Sequence, residues 1–227
     1  MRLFDIELEE LNRKLLDMGE LVETAIRGSV RALVDQNRDL AEQVIRDHEL
    51  VMRLEGEIEG MATRLLALRQ PVARDLRLLT VALKINGDLE RIGKLSSHVA
   101  GRALLLLGHP LVEPLKGIPR MGSLVESMLR QCLEAFVKGD AGLARSVLLA
   151  DDEVDALRDA LYTDLQALMQ KNTAAIPAAV DLIFVARNLE RIGDHATNIA
   201  EDVVFLVKGI DVRHRAQEET DLSVPHE

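Results

Sequence analysis

The stretch "ARNLERIGDHATNIAED" (residues 186–202) decides how this chain folds. Its apolar residues Leu189, Ile192, Ala196, Ile199 and Val203 recur in steps of 3 and 4, the period of one face of a bundled helix. Its core, "LERIGD" (189–194), has a near copy, "LERIGK" (89–94), 100 residues earlier (189 − 89 = 100). The repeated Leu and Ile are seam residues. The sixth letter lies off the seam, and it is Asp194 in the later copy but Lys94 in the earlier one. A repeat that keeps its core letters and exchanges an outward acid for a base raises two questions. One is what fold is duplicated; the other is what the outward face does.

The same period fills most of the chain. Phe4, Leu8, Leu11, Leu15, Met18, Val22, Ala25, Ser29 and Ala32 make the seam of a first long helix. A second helix starts near Asp39 and carries Val44, Val51, Leu54, Ile58, Met61, Leu65 and Leu68. "RQP" (69–71) ends it, because Pro71 disfavours a helical residue before it. A third helix is predicted from about Val72 to Leu107, with Leu89, Ile92, Val99 and Leu106 on its seam. "GHPLVEP" (108–114) is a break. A fourth helix runs from about Leu115 or Pro119 to Lys138, and "KGD" (138–140) supplies a C-terminal Gly and an Asp to cap a fifth. The fifth reaches about Gln170, "KNTAAIP" interrupts, and the sixth shows Leu182, Val185, Leu189, Ile192, Ala196, Ile199, Val203 and Leu206.

Superposing the two LERIG copies places the third helix on the sixth. The second then falls on the fifth at a shift of 103, with Val51, Leu54, Ile58 and Leu65 on Val154, Leu157, Leu161 and Leu168. The chain therefore reads as an internal duplication of a three-helix unit. The expected fold is all-α: six long helices as two tandem three-helix bundles, residues 1–108 and 109–209, followed by a polar, frayed tail over 210–227.

Composition agrees. Of 227 residues, 48% are hydrophobic but only 2% aromatic, so the core is built from aliphatic side chains, which suit helix-on-helix packing. A net charge of −10 repels phosphate backbones, which argues against a nucleic-acid partner. The single cysteine, Cys132, cannot form an internal disulfide and reads as a small core residue in a reducing, cytoplasmic protein. The N-terminus "MRLFDIELEELNRK" lacks the apolar region of a signal peptide. The longest apolar run, "ALLLLG" (103–108), falls far short of the ~20 residues that cross a bilayer, so no membrane insertion is expected.

The outward face of the sixth helix carries Glu190 and Asp194 at i, i+4, with Asn198 one turn further on the same stripe. The fifth helix carries a second such pair, Asp151 and Asp155. These helices are neighbours in one bundle, so four carboxylates can converge on one groove. Several carboxylates around one point repel each other without a cation, and their hard oxygens suit Mg²⁺, Mn²⁺, Ca²⁺ or iron. Spacing alone favours the plainer reading, a solvated stripe paired with Arg187 and Arg191, because charge stripes on bundle exteriors are common. The matching positions of the first half are His48, Met52, Glu90 and Lys94. One acid of four survives there, Lys94 can stand in for a cation opposite Glu90, and His48 and His98 offer at most weak ligation.

"RQPVARDLR" (69–77) together with "LERIGK" and "NLERIGDHATNIAE" resembles the PhoU family of bacterial phosphate-uptake regulators, over about residues 3–207 as two tandem repeats. The resemblance implies a cytoplasmic, non-enzymatic, often dimeric protein of two helical bundles. It implies restraint of phosphate import through the ATPase subunit of the ABC phosphate transporter. It also implies a role with a sensor histidine kinase in keeping the phosphate-starvation regulon off. It further implies metal, iron or another divalent ion, on E/D-x-x-x-D motifs of the outer surface. The second half keeps that pattern as Asp151-x-x-x-Asp155 and Glu190-x-x-x-Asp194. The first departs from it as His48-x-x-x-Met52 and Glu90-x-x-x-Lys94, so one competent site is expected, with Glu90 and His48 as a degenerate remnant.

Two other readings stand beside this one. The acids could serve a metal-dependent hydrolase or oxidase, although di-iron bundle enzymes place their ligands, including a Glu-x-x-His motif, inside the core. Neither the fifth nor the sixth helix carries Glu-x-x-His, and no Gly-rich phosphate loop or nucleophile constellation occurs. The chain could also be a structural partner protein whose acidic stripes only solvate.

Overall fold

The computed structural model describes residues 3–109 and 117–210. Six helices and one short 3-10 turn make up its architecture, and no strand occurs among the described residues. They are α1 (Leu3–Val34), α2 (Arg38–Arg69), α3 (Arg74–Leu105), α4 (Gly117–Lys138), α5 (Ala141–Lys171) and α6 (Ile176–Lys208). The 3-10 turn, Thr173–Ala175, leads into α6. Helices α1–α3 form one three-helix bundle and α4–α6 the other. The two halves match helix for helix except that α4 has 22 residues against 32 for α1. The tail expected to fray lies, from residue 211 on, outside the described residues, as does most of the 108–114 break.

Side-chain chemistry sets the helix ends. Asn37 caps α2 by accepting from the Leu40 amide at 3.1 Å, so α2 begins one residue before the expected Asp39. Asp140 caps α5, its Oδ1 accepting from the amides of Gly142 (2.8 Å) and Leu143 (3.0 Å), while Gly139 takes a left-handed φ of +62°. Helix α3 is shorter at both ends than the expected Val72–Leu107; at its start the chain leaves the "RQPVA" turn only after Ala73.

The seams expected from the 3–4 period are buried. Leu11, Leu15, Met18 and Val22 of α1, Leu89, Ile92 and Val99 of α3, and Leu189, Ile192, Ala196, Ile199 and Val203 of α6 are closed to solvent. Leu68, in the last turn of α2, is the exception at 70% exposed, although its neighbour Arg69 pairs with Glu7 of α1.

The halves share one hydrophobic core rather than hanging on a linker. Two antiparallel helix pairs join them. Between α1 and α4, a Cβ at Gly122 would come within 2.8 Å of Val30, and one at Gly19 would overlap Leu133. Arg130 Nε donates to Glu23 Oε2 at 3.1 Å beside them. Between α3 and α6, Lys84 Nζ donates to Asp202 Oδ1 and Arg102 Nη1 to Asp181 Oδ1, both at 2.8 Å. The duplication is visible in this joint. The mates of Lys84 and Asp202 under the 100-residue shift are Phe184 and Arg102 (84 + 100; 202 − 100), and the Arg102 guanidinium stacks 4.4 Å from the Phe184 ring centroid.

Candidate metal centre

The outer groove between α5 and α6 brings together the four carboxylates read from the sequence. Asp151 and Asp155 project from α5 toward Glu190 and Asp194 of α6. The Asp151 carboxyl is pushed up to about 6, first by burial and then by repulsion from Asp194, Asp155, Asp152 and Glu190. The Glu190 carboxyl is also raised, by burial and then by Asp194. Asn198, one turn beyond Asp194, is exposed.

Glycine places the two helices this close. A Cβ on Gly193 would lie 3.2 Å from Asp151 Oδ1 and 3.6 Å from Val154. In the first half a Cβ on the matching glycine, Gly93, would lie 3.2 Å from Val51 and 3.4 Å from His48. A Gly costs roughly 1 kcal/mol against Ala inside a helix. In both LERIG copies the approach of the preceding helix accounts for it.

The partner of these acids is Arg158, a residue the sequence reading did not single out. Its Nη1 donates to Asp155 Oδ1 and to Glu190 Oε1, each at 2.7 Å, and so ties α5 to α6. Its Nε donates to the outer Asp159 at 2.9 Å. The signal was present: under the 103-residue shift Arg158 falls on Glu55 (158 − 103), a second exchange of acid and base. At these three positions each half carries one base and two acids, with the signs interchanged at two of them. In the first half Glu55 and Glu90 are acids and Lys94 the base; in the second, Asp194 and Glu190 are acids and Arg158 the base.

The first-half face differs from expectation in its pairing. Lys94 is exposed and makes no ion pair with Glu90 among the described residues; His48 Nε2 approaches Glu90 Oε1 at 3.5 Å instead. That nitrogen is buried and has no hydrogen-bond partner among the described residues. Glu55 is raised by burial and then by Glu59 and Glu90, so this face holds its acids close together. Met52 is 46% exposed and supplies no oxygen donor.

The second-half donor set is four carboxylates from two helices, the hard oxygen donors that a divalent cation takes. As the side chains stand, no three His, Cys, Asp or Glu groups among the described residues close around a single point, and Arg158 takes the place between Asp155 and Glu190. One further pair was missed. His195, beside Asp194 in the chain, donates from Nδ1 to the buried Asp88 of α3 at 2.9 Å. Finding it requires the antiparallel register of α3 and α6, which no local pattern encodes.

A duplicated helical scaffold with an acidic groove on one outer face defines a two-bundle, all-helical protein. The PhoU domain model matches the chain twice, over residues 15–103 and 118–203, and the chain belongs to the PhoU family. A relative from Pseudomonas aeruginosa described as "Phosphate-specific transport system accessory protein PhoU homolog" is 42% identical over 214 residues, covering 93% of this chain and 88% of its own length. A relative of the same description from Zymomonas mobilis is 37% identical, covering 96% and 92%. Among solved structures, PhoU from Pseudomonas aeruginosa superposes with a TM-score of 0.89 at 40% identity, covering 91% of this chain and all of that one. The phosphate transport system regulatory protein PhoU from Streptococcus pneumoniae superposes at 0.86 and 32% identity, covering 92% and 99%.

Proposed function

We propose that this protein is a non-catalytic accessory regulator of phosphate transport. It restrains phosphate uptake and keeps the phosphate-starvation regulon off when phosphate is plentiful. It acts in the cytoplasm, as a homodimer, between the ATPase subunit of the ABC phosphate transporter and a sensor histidine kinase. The observation that carries this reading is the end-to-end match to relatives named as accessory proteins of phosphate-specific transport, through both repeats. No described helix is long and apolar enough to cross a membrane, which suits a protein that docks on membrane partners rather than one embedded beside them.

In the same reading, Asp151, Asp155, Glu190 and Asp194 hold a hard divalent ion on the outer face of the second half, with Asn198 at its edge. Such an ion supplies charge neutralisation and cross-links α5 to α6. The protein's own groups do the rest. Val154, Leu189 and Ile192, fully buried beneath the groove, fix the spacing of the helices, and Gly193 keeps Asp151 unobstructed. The acids lie outside the core, unlike those of bundle oxidases, which supports a regulatory rather than a catalytic role.

The test is deletion of the gene and measurement of a phosphate-starvation reporter in phosphate-rich medium. The expected result is a derepressed reporter that the wild-type gene silences again. A reporter that stays silent without the gene contradicts the regulatory reading.

A further inference from the structure

We propose that Arg158 is a tethered counter-cation that occupies the metal position of the second-half cluster, so that a divalent ion binds only by displacing it. The proposal rests on the metal reading above and adds to it a residue that sets the affinity.

The geometry makes the two cations exclusive. Arg158 Nη1 lies 2.7 Å from carboxylate oxygens on two different helices, Asp155 Oδ1 and Glu190 Oε1. A divalent ion bridging the same two oxygens would sit roughly 2.0–2.6 Å from each. Its volume would overlap that nitrogen, and the two positive charges would repel at contact. Arg158 and the metal therefore compete sterically and electrostatically for one point.

Three further observations make the site a switch rather than a plain helix staple. Arg158 leaves the cluster under-neutralised, since it brings one positive charge to the four carboxylates Asp151, Asp155, Glu190 and Asp194. A doubly charged ion would satisfy that remaining charge, which the single charge of arginine does not. Displacement also has a ready outlet. Arg158 Nε and Nη2 already lie 2.9 Å from Asp159 Oδ1, and Asp159 is 69% exposed, outside the cluster. Rotation about the end of the side chain withdraws Nη1 while the outer contacts persist. Finally, the device belongs to this half alone, because the first-half residue at the matching position is Glu55.

The experiment titrates Mn²⁺ into the metal-free full chain by calorimetry, in wild type, Arg158→Met, Arg158→Lys and the double variant Asp155→Ala with Asp194→Ala. Arg158→Met is expected to bind Mn²⁺ at least about tenfold tighter than wild type. Arg158→Lys, which keeps the charge, is expected to stay close to wild type, and the double variant to lose binding. Mn²⁺ should also raise the melting temperature of Arg158→Met more than that of wild type. Arg158→Gln serves the same comparison if the Met variant loses its helical circular dichroism.

A purely structural staple gives the opposite sign, since its loss loosens α5 against α6 and weakens binding. Equal or weaker binding by the uncharged variants overturns the competition while leaving the metal site standing. Absence of Mn²⁺ binding in wild type and uncharged variants alike overturns the metal site and the competition together.

Discussion

Asp88 of α3 and His195 of α6 meet across the joint between the two bundles, Nδ1 to Oδ1 at 2.9 Å, with the Asp88 side chain 8% exposed. His195 follows Asp194 directly, so one turn of α6 carries a carboxylate of the outer groove and a contact to the other half. The groove is thereby anchored to the joint through a single backbone segment.

Asp88→Ala leaves the imidazole N–H without its acceptor in a nearly closed position. The expected loss of stability is about 1–3 kcal/mol, the range for orphaning a buried polar group. Urea denaturation followed by circular dichroism measures it. Asp88→Asn, which still offers an acceptor oxygen, should lose less.

The Asp151 carboxyl makes a pH prediction for the metal-free protein. Its folded pKa is raised from 3.8 to about 6, so the folded state favours the protonated form. Stability conferred by that proton is present at low pH and is lost as pH rises through the interval between those values. Asp151→Asn removes this dependence. The variant should exceed wild type by about 1 kcal/mol at neutral pH, a figure reduced for solvent screening at a half-buried position. The two should converge below the lower value, as urea midpoints across pH would show. Saturating Mn²⁺ should remove the variant's advantage.

Glycines at the joint and on the surface should respond to alanine with opposite signs. A Cβ at Gly122 would come 2.8 Å from Val30 Cγ2, so Gly122→Ala must push α4 off α1 and is expected to destabilise by about 1–3 kcal/mol. Gly60 of α2 has open space around it, so Gly60→Ala should stabilise by about 0.5–1 kcal/mol through helix propensity alone. Thermal unfolding of both variants checks the pair.

Cys132 is fully buried, its Sγ 3.1 Å from the Ala196 carbonyl oxygen, and burial raises its thiol pKa far out of the reactive range. Native protein should resist alkylation by iodoacetamide at neutral pH, while urea-unfolded protein should react fully. Intact-mass measurement distinguishes the two.

Much of this was legible in the sequence because bundle cores repeat every 3 to 4 residues. The seams, the KGD cap and the duplication follow from that period and from turn chemistry. Leu68 misled because periodicity continues through the last turn of a helix whether or not the side chain there is covered. The four acids were legible as i, i+4 pairs on helices that neighbour each other in the chain. Their cation was not, because Arg158 stands three residues after Asp155, where the acid stripe itself draws the eye away. The approach of His48 to Glu90 at 3.5 Å was not legible either, because it comes from the neighbouring helix. The Asp88–His195 contact depends on the packing of α3 against α6, which only the tertiary fold determines.

The central claim is that the second half carries the metal and the first does not. Elemental analysis of metal per chain tests it most directly, on protein purified from metal-supplemented medium. The proteins compared are wild type, Asp155→Ala with Asp194→Ala, and Glu90→Ala. The account predicts bound metal in wild type and Glu90→Ala and its loss from the double variant. Equal metal in all three would contradict it.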